Sequence, residues 1–254
     1  MSSDLNPFET EYVAQEVEWF GVDTDQEVGG AAIRHVIPSG RLDDLLNWNF
    51  RSMDFFVPYF VIDEHCWMGM TPMELQSSWV PIQAAHGTVV NLGLGMGYTA
   101  LRMAAKSEVD RVIAVESNAD AVALFHAVHS ERPEYAKVEI RVGDARKLAP
   151  RIQAKDKPDF WFVDIYSDLL PEELLDDARL FISDYDIDPD RIHFWGQERA
   201  FLGAMHAGED PYLTKHEQKL LGLWMMADGG KLRDLRDHVD SEYCLEACEY
   251  IGRT

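Results

Sequence analysis

Three glycines at alternate positions, Gly93-Leu94-Gly95-Met96-Gly97, directly follow the strand-like run Thr88-Val89-Val90-Asn91-Leu92. Glycine lets a backbone turn tightly and approach a ligand closely, and the N-terminus of a following helix adds unpaired N–H groups. The spacing is G-x-G-x-G, with Tyr98 where the dinucleotide fingerprint G-x-G-x-x-G has its last glycine. Roughly 20 residues further on, VIAVE ends in Glu116, a carboxylate placed to accept the two hydroxyls of a ribose. Ser117 stands with it as a binding residue; alternatively Glu116, Ser117 and Asn118 only cap the next helix. A third polar group, Gly143-Asp144-Ala145-Arg146, offers a carboxylate for an exocyclic amine and the Ala145 N–H for an adenine ring. Asp144 is equally an N-cap. The fourth is Asp164, at the end of the apolar run in DFWFVDI, where a carboxylate can bind an ammonium group or act as a general base. Asp164 and Asp168 lack a third oxygen ligand nearby, so no metal site is expected.

These residues need a scaffold that brings strand ends together. The alternation of short apolar runs with helical stretches supplies one: TVVNLG, then a helix over 98–106, RVIAVE, a helix over 118–129, VEIRVGD, a helix over 145–154, DFWFVDI, a helix over 171–182, and RIHFW. Strands that are apolar nearly throughout belong to a parallel sheet covered on both faces. The expected fold class is therefore α/β, a doubly wound, mostly parallel sheet with helical N- and C-terminal extensions. Ligands bind such a sheet beyond the carboxyl ends of its strands. Three regions are expected: an aromatic-rich extension of helices and a short strand or two over 1–70, the core over 71–196, and a helical segment over 197–254. At the start of the core Thr71, Pro72 and Glu74 form a capping-box pattern, and Pro81 must kink or split the helix that follows. The aromatic stretch from Trp48 to Trp67 is core or a lid that would keep water from the crevice.

The net charge of −22 repels phosphate backbones, so nucleic acid is not an expected partner. A cationic or neutral small molecule suits such a surface; a homo-oligomer stays open. No apolar run approaches the ~20 residues of a membrane span, and the acidic start lacks the basic-then-apolar pattern of a signal peptide. A cytoplasmic protein without membrane contact is expected. Cys66, Cys244 and Cys248 are too few for a disulfide framework and read as buried free thiols. His65, His86 and His193 show no metal-ligand spacing and read as structural. After the last strand, Gln197 and Glu198 either reach a substrate or cap a helix. No G-x-S-x-G elbow is present.

In order and spacing, VVNLGLGMG, VIAVESN, VGDAR and DFWFVDI resemble the class I S-adenosylmethionine-dependent methyltransferases, over residues 88 to 195. The resemblance implies a Rossmann-like methyltransferase fold with S-adenosylmethionine as cofactor. Gly93, Gly95 and Gly97, with Leu94 and Met96 between them, would wrap the methionine part. Glu116 with Ser117 would hold the ribose, Asp144 with Ala145 the adenine, and Asp164 would lie near the reacting methyl group. A narrower similarity is to the spermidine-synthase-like branch, through VIDEHCWMGMTPMELQS ahead of the loop. There Asp164 would match the aspartate of aminopropyl transfer and Glu74 an acid lining the site, although the capping box explains Glu74 more simply. The sequence departs from the family at Asn91, where most members carry an acid, and after Gly196, where the usual strand pair is not recognisable. It also lacks the proline-rich motif of amino-methylating DNA enzymes. The implied function is methyl transfer to a small-molecule acceptor. The alternatives are an aminopropyltransferase acting on a polyamine and a non-catalytic protein that binds the cofactor or another protein.

Overall fold

The computed structural model describes Pro7, residues 9–38, Leu42, 53–167 and 173–199. The expected alternation folds as a five-stranded sheet, parallel at every pairing. Its strands are β5 (Gly87–Leu92), β6 (Val109–Glu116), β7 (Val138–Val142), β8 (Phe160–Val163) and β9 (Ile192–Phe194), in the order β7-β6-β5-β8-β9. The chain winds outward from β5 in both directions, so the switch point lies between β5 and β8. Leu92 pairs with both Val115 and Val163. That register puts the glycine loop, Glu116 and Asp164 at one level, since each follows directly. Four crossover helices cover the faces: α4 (Tyr98–Ala104), α5 (Ala119–His129), α6 (Ala145–Asp156) and α7 (Glu173–Ala178), the last continuing as a π-helical turn over Arg179–Asp184. Every residue of β8 is buried, as a strand covered on both faces must be.

The region before the core is richer in strand than expected. After α1 (Thr10–Phe20) come four antiparallel strands: β1 (Gln26–Val28), β2 (Ala31–Val36), β3 (Val57–Ile62) and β4 (His65–Gly69). The turns are Gly29-Gly30 and Asp63-Glu64, the latter two both in the left-handed region. This small sheet is pinned to the core by Asp120, in the first turn of α5, whose carboxylate accepts from the Gly30 N–H at 2.8 Å. Helix α1 is held by a buried fork: Arg102 donates to both Glu16 oxygens at 2.5 and 2.7 Å, and the Tyr98 hydroxyl donates to the same carboxylate at 2.8 Å. At its C-terminus Arg132 donates to the Trp19 and Phe20 carbonyls, satisfying acceptors that the helix leaves open.

Pro81 splits the next helical stretch, as its missing N–H requires, into α2 (Pro72–Ser77) and α3 (Trp79–Ala84). Cys66 is exposed on β4, which corrects the expectation of a buried thiol: β4 is an edge strand with only Gly69 buried. Cys244, Cys248, Asp168, Trp48 and most of the expected C-terminal helical segment lie outside the described residues. No helix among the described residues is long and apolar enough to cross a membrane.

Candidate active site

A cavity of about 510 Å³ opens at the carboxyl ends of the parallel strands. Its wall gathers the sequence candidates from four separate loops: Gly93, Leu94 and Gly95 after β5, Glu116 and Ser117 after β6, Asp144 and Ala145 after β7, and Asp164 after β8. Gly93 has φ +89°, and a Cβ there would overlap the Asp164 carbonyl oxygen. Only glycine lets the two loops touch backbone to backbone, and that contact sets Asp164 beside the loop. Met96 and Gly97 are not in the wall. The Met96 N–H donates to the Met68 thioether at 3.5 Å, and the open side of Gly97 (φ +92°) is filled by the Phe125 ring. The His129 imidazole, buried against Phe20 and Phe125, bonds the Met96 carbonyl at 3.1 Å.

Glu116 performs two tasks at once. One oxygen accepts from the Leu94 N–H at 3.2 Å, fastening the glycine loop, and the other accepts from the Asn118 N–H at 2.8 Å. Asn118, not Ser117, is the helix cap, accepting from Asp120 N and Ala121 N. The Ser117 hydroxyl turns towards Glu116. Asp144 caps α6 by accepting from Arg146 N at 3.0 Å, and its other oxygen faces Lys147 at 3.1 Å. That lysine is largely exposed, so the pair is weak. Arg146 also lines the cavity, but its guanidinium forks onto Asp177 at 2.6 and 2.7 Å.

Asn91, two residues before the first glycine of the loop, is 1% exposed, and its side-chain N–H donates to the Gly93 carbonyl. It braces the loop from behind and is not part of the cavity wall. Gln197 and Glu198 also face the core: Gln197 accepts from Phe194 N at 2.8 Å, and Glu198 pairs with His193 at 2.9 Å.

For Glu74 the sequence favours a capping box over a place in the site. Thr71 caps α2 by accepting from Glu74 N at 3.4 Å, but the reciprocal half of the capping box is not made: the Thr71 N–H donates to the Gly69 carbonyl at 2.7 Å. Glu74 lines the cavity instead. Burial, and then the nearby Asp164 carboxylate, hold its carboxyl well above the usual carboxylate range. Burial alone lifts Asp164 to about 7. Two close acids in a dry site cannot both ionise cheaply. The outer wall is Phe60 and Ile62 of β3, Trp67 and Met68 of β4, and Trp195 after β9. The aromatic stretch around β3 and β4 thus lies over the crevice, as a lid would.

The cavity falls within the size range of small-molecule sites. The backbone exposed at Gly93 and Gly95, the carboxylate at each of the next two strand ends and the acids Glu74 and Asp164 suit a cationic ligand. Fold and site define a doubly wound α/β domain with a cavity at the carboxyl ends of its parallel strands. Residues 74–170 match the family model described as O-methyltransferase.

Similar solved structures include a probable spermidine synthase from Corynebacterium glutamicum, with 15% identity over 63% of this chain and a TM-score of 0.40. The aligned part spans 59% of that protein. Others are the O-methyltransferase from Bacillus cereus in complex with SAH (14% identity, 61% of this chain, 69% of that one, TM-score 0.37) and the spermidine synthase from Thermotoga maritima (14%, 63%, 52%, 0.38). No curated protein matches the chain.

Proposed function

We propose that the protein transfers the methyl group of S-adenosylmethionine to a small-molecule acceptor held in the same cavity. The observation that carries this reading is the convergence of Gly93–Gly95, Glu116, Asp144 and Asp164, from four loops, on one enclosed space. In this reading the Gly93, Leu94 and Gly95 backbone faces the methionine part of the cofactor, while Met96 and Gly97 keep the loop in shape. Glu116, with Ser117, receives the ribose; Asp144 and the Ala145 N–H receive the adenine. The bound cofactor supplies an electrophilic methyl on a sulfonium. The protein's contribution is position and dryness: Asp164 orients the acceptor, and the β3–β4 hairpin shields the site from water.

Calorimetric titration with S-adenosylmethionine, S-adenosylhomocysteine, decarboxylated S-adenosylmethionine and NAD tests it. Micromolar binding of the first two is expected, and binding of none would sink the reading. Preference for the decarboxylated form would turn it towards aminopropyl transfer, which the Glu74 and Asp164 pair also suits. Glu116→Ala removes the ribose acceptor and the tie to Leu94, so S-adenosylhomocysteine affinity should fall at least tenfold with the fold retained. Unchanged affinity would refute the role of Glu116.

A further inference from the structure

We propose, resting on the reading above, that the acceptor is an amine with an aromatic or apolar body, entering as an ammonium ion: Glu74 and Asp164 receive the nitrogen, and Phe60, Trp67 and Trp195 receive the body. Glu74 carries the argument. It is only 7% exposed, it lines the cavity, and among the described residues neither its carboxyl nor that of Asp164 has a hydrogen-bond or ion-pair partner. A buried carboxyl without a partner is costly, and sites that keep one use it. The position is also built from behind. The Trp195 indole N–H donates to the Ser77 hydroxyl at 2.8 Å, and that hydroxyl donates to the Glu74 carbonyl at 3.0 Å, so the end of β9 fixes the helix that carries Glu74.

The missing counterion is not supplied by the wall. Arg146 is the one lysine or arginine among its described residues, and its charge is paired with Asp177, which accepts from Nε and Nη2. The other ionisable groups facing the pair, Cys66, Tyr166, Glu116 and Asp144, are acids. A neutral acceptor would need at most one carboxyl as a base and would leave the second unexplained. An ammonium ion explains both, and indole and phenyl faces beside the acids favour the same charge. Burial raises both groups, so the pair gives up its last proton at a higher pH than two solvated carboxyls would. An incoming ammonium favours the ionised form, so its binding expels that proton to solvent.

The test titrates the full chain with phenethylamine and with its neutral counterpart 2-phenylethanol, each alone and with saturating S-adenosylhomocysteine. The amine should bind at least tenfold more tightly than the alcohol. At pH 7, calorimetry in two buffers of different ionisation enthalpy should show proton release with the amine only. Glu74→Gln should weaken amine binding at least tenfold and remove most of that release, with circular dichroism unchanged; Asp164→Asn should do likewise. Equal affinity for amine and alcohol, no amine binding at millimolar concentration, or unaltered binding in Glu74→Gln would overturn the proposal. If S-adenosylhomocysteine does not bind but the amine preference holds, the cofactor reading fails and the amine site stands without its role as methyl acceptor site. If S-adenosylhomocysteine binds and the amine preference is absent, this one alone falls.

Discussion

Asp164 lies at the end of an apolar strand, with a second acid beside it and no cation to offset either. The folded chain therefore binds a proton there more tightly than the unfolded chain does. Between the ordinary value of 3.8 and about 7, the native state carries more protons than the unfolded state. Stability thus falls as pH rises through that window, by up to about 1.4 kcal/mol per pH unit for one proton. Asp164→Asn removes this term, so its urea-unfolding midpoint should change less between pH 5 and pH 7 and exceed the wild-type value at pH 8. Parallel pH profiles would show that the carboxyl is better solvated than its position implies. Asp164, Glu116 and Asp144 were legible in the sequence because each is a polar residue ending an apolar run, and a parallel sheet gathers such ends. Glu74 was not: an acid three residues after a threonine describes a helix cap and a site residue equally well. Only the Thr71 N–H turning to Gly69 separates the two.

The glycine loop shows how an element divides its labour. Its first glycine serves a close approach at the cavity; its third serves packing, with the Phe125 ring where a side chain would begin. Gly97→Ala meets both the positive φ and that ring, so it should cost about 1–3 kcal/mol, read as a lower urea midpoint. An unchanged midpoint would mean that α5 can shift to make room. The sequence pattern could not assign these two tasks, because Phe125 reaches Gly97 only once α5 is packed. Strands β5 to β9 were legible because they are short, rich in β-branched and aromatic residues and separated by helices; β7 alone alternates charged and apolar residues. The antiparallel sheet of the N-terminal region was less so. In β4 three of five residues are exposed, and in β2 the first three are buried in a row. Neither strand offers the alternation that marks a half-buried one. What fixes them is pairing with β3, and through Asp120 the docking onto α5.

At the scale of the molecule, a net charge of −22 on 254 residues makes the native state repel itself. Ion pairs such as the Arg111 and Arg141 contacts to Asp156 offset only part of that repulsion. Added salt screens both effects, but the repulsion is spread over the whole surface, so the melting temperature should rise by several degrees between about 10 mM and 300 mM sodium chloride. A fall would mean that specific pairs outweigh the general field. The same arithmetic operates inside the crevice. With Arg146 committed to Asp177, the wall presents carboxylates to any adenosine derivative that enters. Derivatives carrying phosphates bring negative charge into that field, and a sulfonium brings positive charge. On the proposed reading the cavity is a filter as well as a cradle: among ligands that share an adenine and a ribose, it would sort by the sign of the group attached at the far end.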